Sequence, residues 1–287
     1  MNVTIAIPFY NAEKFLPDAI KSVFAQTHKE WELLLIDDGS SDNSLAIANS
    51  VKDSRVKVFS DGKNKKLAGR LNEVTKMASY DFIVRMDADD LMMPNRVEKL
   101  VKIIKENKVD IVTSGVYSVL NDLSVIGVRG DDYDNASFKE ILTKRKGVTH
   151  AALIARKEWY KRNIYDENLS VAQDLDLWLR SSKRNDLKII SISEPLYIYR
   201  EENNVTTKKL LKAYKNERRM IRKYVGHYSL LIFKSYLKSI VVSILSVFGK
   251  VKILQKNRSK KEITQSELKL YKEAIKIIKE TKVDGLR

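Results

Sequence analysis

Residues 82–99 read FIVRMDADDLMMPNRVEK. Phe82 to Met86 is a short apolar run with the pattern of a buried strand. Asp87-Ala88-Asp89-Asp90 follows it, and Pro94 opens a helix that continues to Glu106. Proline suits the first helical position because its missing N–H would have no partner there. This segment is therefore a strand, an acidic turn and a helix. The same alternation extends on both sides. Val3–Pro8, Trp31–Ile36 and Val56–Phe59 read as strands upstream, and Glu13–Gln26, Asp42–Val51 and Leu67–Ala78 as helices, with Ser41 or Asp42 as a cap. Ile111–Ser114 is a further strand. The pattern then loosens: Ala151–Ala155 reads as a strand, Asp174–Ser182 as a helix, and Ile189–Ile192 and Leu196–Tyr199 as two strands.

Strands alternating with helices at this interval predict an α/β fold with a mostly parallel sheet covered on both faces. Ligands of such sheets sit beyond the carboxyl ends of the strands. Three strand ends carry polar clusters. The first ends in Pro8-Phe9-Tyr10-Asn11, the second in Asp37-Asp38-Gly39-Ser40-Ser41-Asp42, and the fourth in the Asp87–Asp90 cluster.

Each cluster admits two readings. Aspartates at i and i+2 beyond a strand can aim at one hard divalent cation such as Mg²⁺ or Mn²⁺, or form a solvated acidic turn that caps the next helix. Asp37 and Asp38 can accept from a nucleotide base or ribose, or the cluster is a helix cap, which Ser41 or Asp42 could supply unaided; Gly39 permits the tight turn. Tyr10 can stack on a base or simply pack. In Gln173-Asp174-Leu175-Asp176-Leu177-Trp178-Leu179-Arg180, the residues Leu175, Trp178 and Leu179 share one helical face. Asp174 lies at the helix start, where the dipole favours an ionised carboxylate; it is a general base or an N-cap. His150 is one of three histidines, either a metal or diphosphate ligand or a structural residue.

Taken in order, these segments resemble the family-2 glycosyltransferases of the GT-A type. The resemblance covers about 200 residues: the first strand with Pro8, Tyr10 and Asn11, then SVFAQTHKEWELLLIDDGSSDNS (22–44), MDADDLMMPNRVEK (86–99), THAALIARKEWY (149–160), QDLDLWLR (173–180) and EPLYIYR (194–200). Within that family it is most similar to bacterial enzymes that build O-antigen, capsule and exopolysaccharide units. The resemblance implies that Pro8, Tyr10 and Asp38 hold the base and ribose, with Asn11 and Asp37 beside them. It implies that Asp87 and Asp89 hold the metal and diphosphate, and that Asp174 is the catalytic base. His150 and Arg200 match positions near the diphosphate or a closing loop. Most relatives have Glu-Asp where this chain has Gln173-Asp174. The implied chemistry is a direct, inverting displacement using Mn²⁺ or Mg²⁺, from a nucleotide-sugar donor, by family habit a UDP-sugar, to a saccharide acceptor linked to polyprenyl diphosphate.

The net charge of +16 is not spread evenly. Residues 1–204 hold 31 basic and 31 acidic side chains, whereas 205–260 hold 15 basic residues and one acidic residue, Glu217. The expectation is a catalytic domain over 1–204 and a basic, helical region over 205–287. The run Lys208 to Lys223 precedes an apolar stretch, Tyr228 to Phe248, in which Leu230, Phe233, Leu237, Ile240, Ile244 and Phe248 fall on one helical stripe. Lys234 and Lys238 interrupt it, so it is expected to lie in a membrane interface rather than span it. The alternative is that the stripe packs on the catalytic domain. An anionic membrane surface is the expected partner of the basic run. The N-terminus MNVTIAIPFYN lacks the pattern of a signal peptide, and the chain holds no cysteine. A cytoplasmic protein, peripheral on the inner face of the plasma membrane, is expected. Two other function classes were weighed. A nucleic-acid-binding protein is favoured only by the basic tail, and no nucleic acid is expected as a partner. A nucleotidyltransferase would need a glycine- and basic-rich loop where this chain has Pro8-Phe9-Tyr10-Asn11-Ala12.

Overall fold

The computed structural model describes residues 1–202, 206–227, 229–249 and 261–286. Ten strands form one sheet: β1 (Val3–Phe9), β2 (Trp31–Asp37), β3 (Val56–Phe59), β4 (Phe82–Arg85), β5 (Leu91–Met92), β6 (Ile111–Val119), β7 (Val125–Arg129), β8 (Tyr133–Asp134), β9 (Leu153–Arg156) and β10 (Ile189–Arg200). The order is β3-β2-β1-β4-β9-β6-β10-β5, with β7 on β6 and β8 on β10. β1, β2, β3 and β4 are parallel neighbours. β9 lies antiparallel between β4 and β6, which restores the common direction, and β10 runs parallel to β6. Six strands therefore deliver their carboxyl ends to one edge.

The expected pair of strands at 189–192 and 196–199 is a single strand. Its register against β6 shifts between Ile192 and Tyr197, around Pro195. Proline has no N–H for a ladder and is tolerated at such irregularities. Pro8 is placed by the same logic. The β1–β4 pairing runs from Thr4 to Ala6 and stops before it.

Alternate residues of the central strands feed two cores, as the two-residue period of a strand requires. Ile5, Ile7, Leu33 and Leu35 face α1 (Leu16–Phe24), α2 (Ser44–Ser50) and α4 (Arg96–Glu106). Ala6, Leu34 and Ile36 face α3 (Lys66–Met77), α6 (Lys157–Arg162) and α7 (Gln173–Lys183). The short helix α5 (Phe138–Leu142) adds Ile141 to the second core.

Among the described residues three helices follow β10: α8 (Thr207–Tyr224), α9 (Leu230–Val247) and α10 (Gln265–Glu280). The change in charge near residue 205 is not a boundary of packing. Met220 of α8 joins the core beneath α7, and Tyr271, Ala274 and Ile278 of α10 pack on Tyr117, Val128 and Ile198. α8 is also tied to α7 by a buried charge. Asp176 is fully buried and accepts from Lys223 Nζ at 2.7 Å and from Tyr224 Oη at 2.7 Å. Burial alone would raise its pKa, but these two bonds outweigh it and hold the carboxyl below its usual range.

α9 turns its apolar side outward. Leu230, Phe233, Leu237, Ile240 and Ile244 are exposed, while Ser235 is buried against α8. Arg218 donates to the Ser235 carbonyl at 3.1 Å and to Ser239 Oγ at 2.7 Å, and Ser235 Oγ donates to Glu217 at 3.0 Å. By length and composition α9 could also cross a membrane. Tyr228, the first residue of the apolar stretch read from sequence, lies outside the described residues.

Tyr224→Phe removes one donor from a buried carboxylate. It should lower stability to urea by about 1–2 kcal/mol. An unchanged urea midpoint would show that this contact does not hold α8 to α7.

Candidate active site

The Asp87–Asp90 turn is built from two distant strands. β4 ends at Arg85, the chain turns, and β5 pairs antiparallel with the end of β10, Met92 opposite Tyr197. Asp90 is fully buried; it accepts from Tyr197 Oη at 2.9 Å and from the Arg200 N–H at 2.8 Å. Tyr197 Oη in turn accepts from the Asp87 N–H at 3.0 Å. The Arg200 side chain donates to the Asp89 carbonyl at 2.5 Å and to Asp18 at 3.3 Å. Asp90 is thus an internal brace, its carboxyl raised well above the usual range by burial and then by Asp89 and Asp87. Arg200 supports the turn from beneath.

Asp87 and Asp89 are left on the outer side of the turn. Arg85, 2% exposed, donates to Asp87 Oδ1 at 2.7 Å, which leaves Oδ2 of that carboxylate available. Nε and Nη1 of Arg85 are buried with no hydrogen-bond partner among the described residues. The Asp89 carboxyl is pushed above its usual range by withdrawal from water and then by the charge on Asp87. Two crowded carboxylates with oxygens to spare match the chemistry of Mg²⁺ or Mn²⁺, whose remaining ligands are usually water and substrate phosphate. Among the described residues no three His, Asp or Glu side chains gather into a metal-binding group.

His150 has another setting. Its Nε2 lies 2.6 Å from Tyr165 Oη, and its ring meets Trp178 of α7 edge-on at 5.8 Å. Burial, and then the Arg85 charge, lower its pKa well below the usual value. The ring lies against Tyr165 and Trp178. It packs α7 against the wall of a cavity of about 880 Å³ that also includes Arg85, Asp87, Gln173 and Asp174.

Asp174 and Asp176 are two residues apart and differ in every respect. Asp176 is buried and paired, as described above. Asp174 lines the cavity, and its carboxylate has no hydrogen bond or ion pair among the described residues. Ala172, just before α7, has φ 59°, a left-handed conformation that costs a non-glycine residue about 1–2 kcal/mol. Strain of this kind at a helix start fixes the angle at which Asp174 enters the cavity.

The ends of β1 and β2 form a second part of the site. Asp38 accepts from the N–H groups of Lys65 and Lys66 and from Arg70 Nε at 2.7–3.1 Å. Arg70 is fully buried and also pairs with Asp61 and Glu73. Asp37 accepts from the Ser40 N–H and from Ser60 Oγ; burial opposes its ionisation, and these bonds outweigh it. Asn11, with φ 48°, accepts from the Ser41 N–H at 2.8 Å. Gly39 has φ 75°, and a Cβ there would stand 3.1 Å from the Lys63 backbone. These residues lock the loops after β1, β2 and β3 together and leave Tyr10 exposed beside them. A carboxylate has about four acceptor positions, so Asp37 and Asp38 keep capacity for a ligand.

Sequence reasoning missed Arg85, Arg70 and Tyr197. Arg85 carried a signal: it is the one charged residue within Phe82–Met86, placed two before Asp87. Arg70 and Tyr197 carried none, because their partners are distant in sequence.

The model of the family described as Glycosyl transferase family 2 matches residues 4–169. EpsE, a glycosyltransferase of Bacillus subtilis, is 30% identical over 211 residues, which cover 70% of this chain and 74% of EpsE. WfgD of Escherichia coli, the UDP-Glc:alpha-D-GlcNAc-diphosphoundecaprenol beta-1,3-glucosyltransferase, is 37% identical over 125 residues. That match covers 44% of this chain and about half, 49%, of WfgD. Among solved structures, the mannosyltransferase PcManGT from Pyrobaculum calidifontis, in complex with GDP-Man and Mn²⁺, superposes with a TM-score of 0.58 at 12% identity. The superposition covers 96% of this chain and 85% of that one, and it establishes a shared fold.

Tyr197→Phe deletes the hydroxyl that links Asp87 to Asp90. Stability should fall by about 1–3 kcal/mol, because a buried carboxyl loses one of its two donors. An unchanged melting temperature would show that the turn is held by Arg200 alone.

Proposed function

The chain belongs to glycosyl transferase family 2, and on that premise we propose that it moves a hexose from a UDP-sugar to a hydroxyl of a lipid-linked saccharide, with inversion at the anomeric carbon. It is a glycosyltransferase of GT-A fold. The observation that carries the finer reading is the meeting of Asp174 and Asp87 in one cavity. One is an unengaged carboxylate on a helix start, and the other belongs to a crowded carboxylate turn.

Loops bearing Pro8, Tyr10, Asn11, Asp37 and Asp38 would receive the base and ribose. Asp87 and Asp89 would hold Mn²⁺ or Mg²⁺, which when bound supplies positive charge to the donor's diphosphate. Arg85 lines the same cavity and holds Asp87 in place. Asp174 accepts the proton of the acceptor hydroxyl as that oxygen bonds to the anomeric carbon. The bond from the anomeric carbon to the diphosphate breaks with its electron pair leaving on UDP. The Asp174 proton is then released to solvent. Asp176 suits the role less well, since its carboxylate is buried and already shared by Lys223 and Tyr224.

The acceptor class rests on WfgD, whose name specifies a diphosphoundecaprenol acceptor, and on α9. Its exposed apolar side suits a lipid surface better than a nucleic acid. Its serine side is bonded to the charged helix α8, which favours lying in the interface over crossing the bilayer. A polysaccharide-building enzyme peripheral on the inner face of the plasma membrane fits these features. The rival reading as a nucleotidyltransferase has no support in the family match.

Asp174→Asn should reduce turnover of a UDP-sugar by about 10²–10⁴-fold, the usual cost of losing a general base. Near-full turnover in that variant would place the base elsewhere. UDP should bind more tightly with Mn²⁺ than without it, and Asp89→Ala should abolish the difference. Calorimetry showing metal-independent UDP affinity in the parent chain would sink the metal assignment.

A further inference from the structure

Besides Arg85, the cavity that holds Asp87 and Asp174 also holds four lysine and arginine side chains, supplied by three separate segments. Arg129 ends β7, Lys144 and Arg145 follow α5, and Lys261 sits on a bridge to Val128 made by two backbone hydrogen bonds of 2.9 and 3.0 Å. None of them comes from the β1, β2 or β3 loops or from the Asp87–Asp90 turn. Two are committed: Arg129 pairs with Glu201, and Lys144 pairs with Glu217 at 3.0 Å. Arg145 and Lys261 have no side-chain hydrogen bond or ion pair among the described residues, and both are exposed. The acidic residues of the same cavity are Asp87, Asp131 and Asp174.

The basic wall is continuous with the apolar helix. Glu217 of α8, which holds Lys144, also pairs with Lys238 of α9 at 3.6 Å and accepts from Ser235 of α9. One ion-pair chain thus leads from the cavity to the helix whose apolar side faces outward. We propose that Arg145 and Lys261, backed by Arg129 and Lys144, form a subsite for the diphosphate of the acceptor. The acceptor would be a saccharide joined through a diphosphate to a long hydrocarbon. The three chemistries then follow in the order in which such a molecule carries them. Asp174 meets the sugar hydroxyl, the cations meet the diphosphate, and the outward face of α9 meets the hydrocarbon. A diphosphate diester carries one negative charge on each phosphate, matched by the two uncommitted cations. The donor's diphosphate belongs at Asp87 and Asp89, which lie on other elements. This inference rests on the transferase reading of the cavity.

Two probes test it on the full-length chain with UDP present: farnesyl diphosphate joined to N-acetylglucosamine, and the neutral farnesyl glycoside of the same sugar. The diphosphate probe should bind at least about 10-fold more tightly, with a preference that shrinks as salt rises, since exposed charges are screened within about 10 Å at 0.1 M. The double variant Arg145→Gln, Lys261→Gln should abolish the preference and retain UDP affinity. The charge-conserving pair Arg145→Lys, Lys261→Arg should keep most of it. Equal binding of the two probes by the parent chain overturns the subsite while leaving the transferase reading intact. A fall in UDP affinity matching the fall in probe affinity assigns these cations to the donor and also overturns it. Failure of the parent chain to bind UDP at all sinks the transferase reading, and the subsite with it.

Discussion

A buried carboxyl with two donors sets the geometry of this molecule's working edge. Asp90 is held by Tyr197 Oη and the Arg200 N–H, and both belong to a strand that is not adjacent to β4 in the sheet. β9 and β6 lie between them. The chain leaving β4 must therefore cross the carboxyl edge to reach β10, and β5 is the landing point. Because Asp90 points inward to make this bond, the intervening positions Asp87 and Asp89 face outward. A single buried carboxyl thus converts an acidic run into an inner brace and an outer pair of carboxylates. Both oxygens of the buried carboxyl are paired, as buried polar groups require.

Much of the catalytic half was legible because its physics is local. Strands β1, β2 and β3 stand within one residue of the expected bounds, since a continuous apolar run bounded by polar turns has few other solutions. The clusters at the ends of those strands lie along one edge because the strands are parallel. What was illegible depends on contacts made far along the chain. Nothing near Arg70 announces that it will be fully buried among Asp38, Asp61 and Glu73. Nothing near Pro195 announces that two short strands are one strand with a register shift. Asp174 and Asp176 look equivalent in sequence and are separated by the partners that α8 and Arg180 bring to Asp176.

The tail shows the same limit in another form. A jump in charge near residue 205 reads as a domain boundary, yet charge density records what a surface meets and not where a core ends. Met220, Tyr271 and Ile278 lie within that basic region and are core residues of the catalytic sheet. Ser235 and Ser239 of α9 bond to Arg218 and Glu217 of α8, Ile232 and Val242 are buried on the same helix, and Leu230, Phe233, Leu237, Ile240 and Ile244 are left outside. An amphipathic helix packed this way round has the reverse of the ordinary soluble arrangement, and its exposed patch calls for an apolar environment.

The reach of the Asp90 contact also has a consequence in time. Asp90 and Arg200 are 110 residues apart, and contacts of long sequence separation form late because the loop-closure entropy must be met first. On the ribosome, the segment matched by the family, residues 4–169, emerges with β1 to β4 and the whole Asp87–Asp90 sequence but without Tyr197 or Arg200. During that interval the acidic turn has nothing to hold Asp90 inward. The arrangement of the acidic turn is thus a late product of synthesis, completed only when the twelve-residue strand β10 has been made and seated. Catalytic competence is tied to the end of the domain rather than to the segment that carries its most recognisable residues.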